Sequence, residues 1–290
     1  MIPAYKTMLV PVPDGRSAAS PLDVAFRLAA EFQAHVIGLH VRVDPTAAVP
    51  LMGEGMSGAM VEDMMTAAER QGADRADQAK MAFDAACDRH GVIRALHPPA
   101  EGLSAEWVDI VGREEEAVAW RGRLNDLVAM ARPDPGADTP SLMTLNAALM
   151  ESGKPLLLTP PVPKETIGTR IAIAWNGSAE AGRAVVCAMP LLKRAAHVLI
   201  LSIAEDERTN NAPAGELAAY LAWHGVRAEC KVTSGAAANP GEALLKECEY
   251  QGIDLLVMGA YTHSRLRQLI LGGVTRHVIH HADIPVLMCH

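Results

Sequence analysis

The chain carries the same unit twice. Val12–Val41 (VPDGRSAASPLDVAFRLAAEFQAHVIGLHV) aligns without a gap on Ala174–Ile203 (AWNGSAEAGRAVVCAMPLLKRAAHVLILSI) at a constant offset of 162 residues. Asp14-Gly15 falls on Asn176-Gly177, and His35-Val36 on His197-Val198. The ends of the units also match: Asn125-Asp126-Leu127-Val128-Ala129-Met130 resembles Ile253-Asp254-Leu255-Leu256-Val257-Met258, and Lys154-Pro155-Leu156-Leu157-Leu158 resembles Ile284-Pro285-Val286-Leu287-Met288. A duplication on this scale implies two domains of about 130–160 residues each. Between them, the segment 159–168 holds three prolines and a glycine, so it can continue neither helix nor sheet. The expected division is therefore a domain over 1–160 and another over 169–290, joined by a short, stiff linker.

In the second unit the apolar run 170–174 ends at Asn176-Gly177-Ser178, the pattern of a strand, a turn and a helix cap. Helix is expected over about 180–194, and 197–203 is almost continuously apolar, as a strand covered on both faces must be. A helix at 214–223, a strand at 228–232, a helix at 241–250, a strand at 254–258, a helix at 275–281 and a strand at 284–289 complete the order βαβαβαβαβ. Such alternation forces parallel pairing through right-handed crossovers. The fold class is α/β: two doubly wound, Rossmann-like domains, each a five-stranded parallel sheet flanked by helices. The first unit follows the same order with a Met-rich insertion, 51–65, expected to pack as core or lid.

Composition narrows the function. The 26 lysines and arginines face 34 acidic residues, a formal charge of -8 with no dense basic cluster, which argues against nucleic-acid binding. Cys87, Cys187, Cys230, Cys248 and Cys289 lie far apart without a C-x-x-C pair, so neither a disulfide framework nor a zinc knuckle is indicated and a reducing cytoplasm fits best. No apolar run approaches the roughly 20 residues of a membrane span, and the first residues have no apolar leader core.

Ligands of a doubly wound sheet bind beyond the carboxyl ends of the strands, at the topological switch point, here after the first and fourth strands. After the fourth, the chain runs from Met258-Gly259-Ala260-Tyr261-Thr262-His263 through Leu271-Gly272-Gly273-Val274-Thr275-Arg276-His277 to Asp283-Ile284-Pro285-Val286-Leu287. This strongly resembles the C-terminal signature of the universal stress protein family. With Ala174-Trp175-Asn176-Gly177-Ser178 after the first strand, the second half resembles a complete family domain. The first half resembles it through Val10-Pro11-Val12-Pro13-Asp14-Gly15 and its closing strand. The resemblance therefore implies a tandem universal stress protein with the adenine nucleotide alpha hydrolase-like fold and an internal pseudo-dimer of its domains; further homodimerisation is left open.

Nucleotide-binding members of that family carry G-x-x-G, nine residues, then G-[S/T], a loop whose backbone N–H groups grip phosphates. Here Gly259 and Gly272 keep the spacing, while Thr262 replaces the middle glycine and Gly273 the final Ser/Thr. Gly272-Gly273 can still present consecutive N–H groups at the start of a helix whose dipole favours an anion. Thr262 either narrows that channel or offers its hydroxyl to a phosphate oxygen. Asn176 stands where nucleotide-binding members usually have aspartate; its amide can accept from a ribose hydroxyl but brings no charge for a metal. The resemblance thus implies an adenine nucleotide, ATP, ADP or AMP. Ala174, Asn176, Gly177 and Ser178 would lie on the ribose side, Met258 and Gly259 near base or sugar, and Thr262, Gly272, Gly273, Val274 and Thr275 near phosphate. The glycines are equally consistent with tight turns alone. In the first half Ala131 replaces Gly259 and the glycine spacing is lost, so no nucleotide is expected there.

Other signals have bland readings. His263, His277, His280, His281 and His290 crowd the C-terminus without carboxylates or thiols at ligand spacing beyond the Cys289-His290 pair, so no metal is expected. Arg265, Arg267 and Arg276 read as solvated, although cations beside an anion site would favour phosphate. The acidic run Glu114-Glu115-Glu116 reads as a solvated helix start. No G-x-S-x-G elbow, G-x-x-x-x-G-K-[ST] loop or general base is visible, so no catalytic residue is assigned and at most slow ATP hydrolysis is expected. Two functions remain: a nucleotide-binding sensor or regulatory module, or a nucleotide-free protein acting through its surface and assembly.

Overall fold

The computed structural model describes residues 4–44, 58–97, 102–133, 141–162, 164–204, 213–234, 239–261 and 273–290. The chain divides into two compact units, Lys6–Ser152 and Gly153–His290, the latter including Tyr5.

In the first unit, β1 (Thr7–Pro11), α1 (Ala19–Phe32), β2 (His35–Arg42), α2 (Gly58–Arg89), β3 (Ile93–Arg94), β4 (Ser104–Val111), α3 (Glu114–Gly122), β5 (Leu127–Ala131) and α4 (Leu142–Glu151) follow in order. The strands pair in parallel in the order β3-β4-β2-β1-β5. The 32-residue α2 takes in the described part of the Met-rich insertion, residues 58–65. Its last turns dock through Ala79, Phe83, Ala86 and Cys87, all fully buried. Gly38 of β2 makes this possible, because a Cβ there would lie 2.5 Å from the Phe83 ring. Phe83 sits 5.2 Å from Trp107 and 6.1 Å from Phe26, centroid to centroid, an aromatic nucleus in an otherwise aliphatic core.

The second unit contains β6 (Leu156–Thr159), β7 (Arg170–Ala174), α5 (Ala179–Leu192), β8 (His197–Ala204), α6 (Ala214–Trp223), β9 (Glu229–Ser234), α7 (Pro240–Tyr250), β10 (Leu255–Gly259), α8 (Gly273–His281) and β11 (Val286–Cys289). Here β9-β8-β7-β10-β11 are parallel. The expectation of purely parallel pairing is corrected at one strand: β6, read as the closing strand of the first half, runs antiparallel to β11, with Val286 opposite Leu158 and Met288 opposite Leu156. Gly153, in the left-handed region at φ 66°, lies between the end of α4 and β6. The sheet is mixed, and its apolar strands are covered as the near-continuous Leu, Ile and Val runs require.

Both units use the same device to anchor their first strand. The Asp126 carboxylate accepts backbone N–H bonds from Lys6 (2.7 Å) and Thr7 (3.0 Å), and Asp254 accepts them from Thr169 (3.1 Å) and Arg170 (2.9 Å). The aspartate matched in the two repeats is thus a clasp that joins the start of β1 to β5 and of β7 to β10. Among the described residues no helix is long and apolar enough to cross a membrane.

Candidate functional site

In the second unit the chain leaves β7 toward β8 and β9, then returns to β10 on the other side of β7. The switch point is therefore the carboxyl edge between β7 and β10, where Ala174 and Met258 sit side by side in register. Beyond Ala174 the chain turns sharply. The Asn176 side-chain oxygen accepts from the Ser178 N–H at 3.1 Å, and Gly177 adopts φ 74°, a conformation a Cβ would strain. Ser178 then caps α5, its hydroxyl accepting from the Ala181 N–H at 3.1 Å. The side-chain oxygens of Asn176 and Ser178 are thus both used in building their own turn, leaving the Asn176 NH2 and the Ser178 O–H as donors.

Gly259 ends β10 without a left-handed backbone. A Cβ there would fall 2.5 Å from the Ala181 nitrogen and 2.7 Å from the Glu180 carbonyl carbon, so this glycine admits the first turn of α5 against the sheet. Gly259→Ala should lower stability by about 1–3 kcal/mol through forced backbone displacement, read as a lower urea midpoint whether or not a ligand is present.

Across the edge, α8 opens at Gly273. Gly273 is exposed, and no described residue lies within 4 Å of the position a Cβ would take there. Val274 is half-buried and Thr275 buried. Thr262, His263, Arg265, Arg267 and Gly272 lie outside the described residues. The structure therefore brings together Ala174, Asn176, Gly177, Ser178, Met258 and Gly259 around one strand edge, with Gly273, Val274 and Thr275 leading the helix of the next crossover.

Sequence reasoning did not single out Tyr261. It holds φ 65°, unusual for a residue with a side chain, directly after β10. Its ring meets that of His290 edge-on at 6.2 Å, and burial pushes its hydroxyl up to about 12. A strained, half-buried tyrosine at the switch point is a common mark of a functional loop.

His277 and His281 take part in the packing of α8. Asn239 caps α7, accepting from the Gly241 N–H at 3.0 Å, and its side-chain nitrogen lies 2.9 Å from His277 Nδ1 on α8. His277 stacks on His281 at 4.2 Å, and burial followed by the nearby His281 lowers its pKa. Among the described residues no group of three or more His, Cys, Asp or Glu side chains is arranged to hold a metal.

At the corresponding place in the first unit the described polar side chains are engaged with one another or with their own turns. Asp14 folds onto its own turn, accepting from the N–H groups of Arg16 (2.6 Å) and Ser17 (2.8 Å). At the start of α4, the Thr144 hydroxyl donates to Glu114 Oε2 at 2.9 Å, and Ser141 caps the helix. The reading of 114–116 as wholly solvated is corrected for Glu114: its carboxyl turns inward to the first turn of α4, so this unit supplies its own anion there. Burial raises the Glu114 pKa, with Glu115 and Asp14 adding repulsion against the lowering effect of the Thr144 bond. A raised folded-state pKa gives a stability contribution that is fully present below the unfolded value of 4.5 and lost as pH rises through the folded value. Glu114→Gln should accordingly raise Tm at pH 7.5, and the gain should vanish at pH 4.

A cavity of about 350 Å³ lies elsewhere in the second unit, between α5 and α6, with Trp175, Val185, Leu217 and Tyr220 among its lining. The buried Trp175 Nε1 has no hydrogen-bond partner among the described residues.

Residues 169–290 match the model of the Universal stress protein family. The universal stress protein Slr1230 of Synechocystis sp. is 32% identical over 142 residues, 46% of this chain and 46% of that protein. Universal stress protein MJ0577 of Methanocaldococcus jannaschii is 37% identical over 49 residues, 17% of this chain and 30% of that protein. The match thus spans less than half the length of either curated relative. A crystal structure of a universal stress protein from Archaeoglobus fulgidus superposes with a TM-score of 0.67 at 17% identity, covering 98% of this chain and 97% of that one. Residues 169–290 thus match the universal stress protein family model, and nearly the whole chain shares the fold of that solved structure.

Proposed function

We propose that the chain is a tandem universal stress protein whose second unit binds one adenine nucleotide and serves as a sensor or regulatory module. The observation that supports this reading is the contrast between two matched helix starts: Gly273 at the start of α8 is exposed with no described residue within 4 Å of its Cβ position, whereas the Glu114 carboxylate reaches the first turn of α4. An exposed helix N-terminus with glycine amides is suited to phosphate. Ala174 and Met258 would receive base and sugar at the switch point, with the Asn176 amide and the Ser178 hydroxyl as donors. Asn176 brings no charge, so no metal is assigned, and no residue is assigned to hydrolysis. Titration calorimetry of the full chain with ATP, ADP and AMP tests this; the expected result is saturable heat at one site per chain.

A second reading, a nucleotide-free protein acting through its surface, is favoured by the closure at Gly259 and by the use of both side-chain oxygens in the 176–178 turn. Absence of both heat and thermal shift at millimolar nucleotide would establish it.

A further inference from the structure

The second unit holds a pair of thiols that the nucleotide reading does not use. Cys289 ends β11 in register with Gly259 of β10, so their Cβ directions share a sheet face. That face carries α5, because the Gly259 Cβ direction runs into Glu180 and Ala181. Further along α5, Arg183 Nε donates to the His290 carbonyl at 2.9 Å, drawing the end of β11 against the helix. Cys187 stands one turn beyond Arg183, half-buried, with its carbonyl accepting from the Tyr5 hydroxyl at 2.6 Å. Cys289, buried, is thereby set beside Cys187 where α5 packs on β11, and Cys289, Lys154 and Arg183 all act on the Cys187 thiol.

We infer that Cys187 and Cys289 form a reversible oxidation site, in which Cys187 is the attacking thiolate and Cys289 the resolving thiol. The oxidant is hydrogen peroxide. The Cys187 thiolate attacks one peroxide oxygen, the O–O bond breaks, and the departing hydroxide takes up a proton as water, leaving Cys187 as a sulfenic acid. The Cys289 sulfur then attacks the Cys187 sulfur, the S–O bond breaks, and hydroxide leaves with the Cys289 proton as a second water. Two thiols and one peroxide give one disulfide and two waters. The neighbouring Cys289 thiol lowers the Cys187 pKa to about 7 against the opposing effect of burial, with the Lys154 and Arg183 cations adding smaller downward effects. Burial instead pushes Cys87 and Cys248 up to about 11 and about 12. A low-pKa, accessible thiol beside a resolving partner is the arrangement that peroxide selects.

The test uses the reduced full chain and hydrogen peroxide. Two of the five thiols should be lost, the intact mass should fall by two hydrogens, and the digest should join the Cys187 and Cys289 peptides, with dithiothreitol reversing all three. Cys289→Ser should stop at a sulfenic acid on Cys187 that dimedone traps, and Cys187→Ser should abolish the intramolecular bridge. In the unmodified protein, iodoacetamide should label Cys187 at least roughly tenfold faster than Cys87 or Cys248. Retention of all five thiols, a bridge to a different cysteine, or alkylation of Cys187 no faster than the buried pair would overturn the inference. The wild-type mass and peptide map decide the matter even where a variant fails to fold, and none of these readouts depends on nucleotide binding.

Discussion

Gly273→Asp is expected to weaken adenine-nucleotide binding by at least ~100-fold, because a carboxylate set at the start of α8 meets the phosphate with like charge, at a cost of several kcal/mol. The substitution isolates binding from folding. The position is exposed, and the new side chain meets none of the described residues within 4 Å of its Cβ. Aspartate in the first turn also suits the helix dipole, so Tm should hold or rise slightly. Calorimetry should therefore lose its heat while circular dichroism and melting stay those of the parent. Glu114→Gln in the first unit should leave the nucleotide isotherm unchanged. Undiminished ATP binding by Gly273→Asp would place the phosphate elsewhere.

The largest expected effect on stability belongs to the clasps. Asp254→Ala removes a carboxylate that accepts from the N–H groups of both Thr169 and Arg170. Hydrogen bonds to a charged group are worth about 1.5–3 kcal/mol each, and the half-buried amides would be left without their partner. A loss of about 3 kcal/mol is expected, read as a fall in the urea midpoint. Asp254→Asn should cost less, since its amide oxygen can keep one of the two bonds. Asp126→Ala should behave like Asp254→Ala, because Asp126 serves Lys6 and Thr7 in the same way. A silent Asp254→Ala would mean that the strand start is held by sheet pairing alone.

Local chemistry explains what could be read from the residues beforehand. The strand at Arg170–Ala174 and the helix at Ala214–Trp223 fall where the apolar runs put them, and Ser178 caps α5 as its place before the helix implies. What escaped depends on partners remote in sequence. Glu114 looked solvated because its partner Thr144 is 30 residues away. Gly259 resembled a ligand-facing glycine, yet the atoms that require it belong to Glu180 and Ala181. The left-handed backbone of Tyr261 has no signature in residue type, since tyrosine has no preference for it. Likewise β6 is an apolar strand in either direction, and its antiparallel pairing is set against β11, more than 100 residues later in the chain. The aspartates at 126 and 254 were visible as a repeated pair, but their purpose emerged only when each met the amides of a distant strand.

The antiparallel seat of β6 has a consequence for any shortened form of this chain. All four residues of β11 are buried, and β6 covers the side of it that β10 does not. Cutting at residue 164, just ahead of the family-matched segment, would bare that strand's outer row of amides and carbonyls. An apolar, uncharged edge of this kind templates pairing with another chain. Such a truncate should self-associate through Val286–Cys289, so its sedimentation would report a hazard created by the cut.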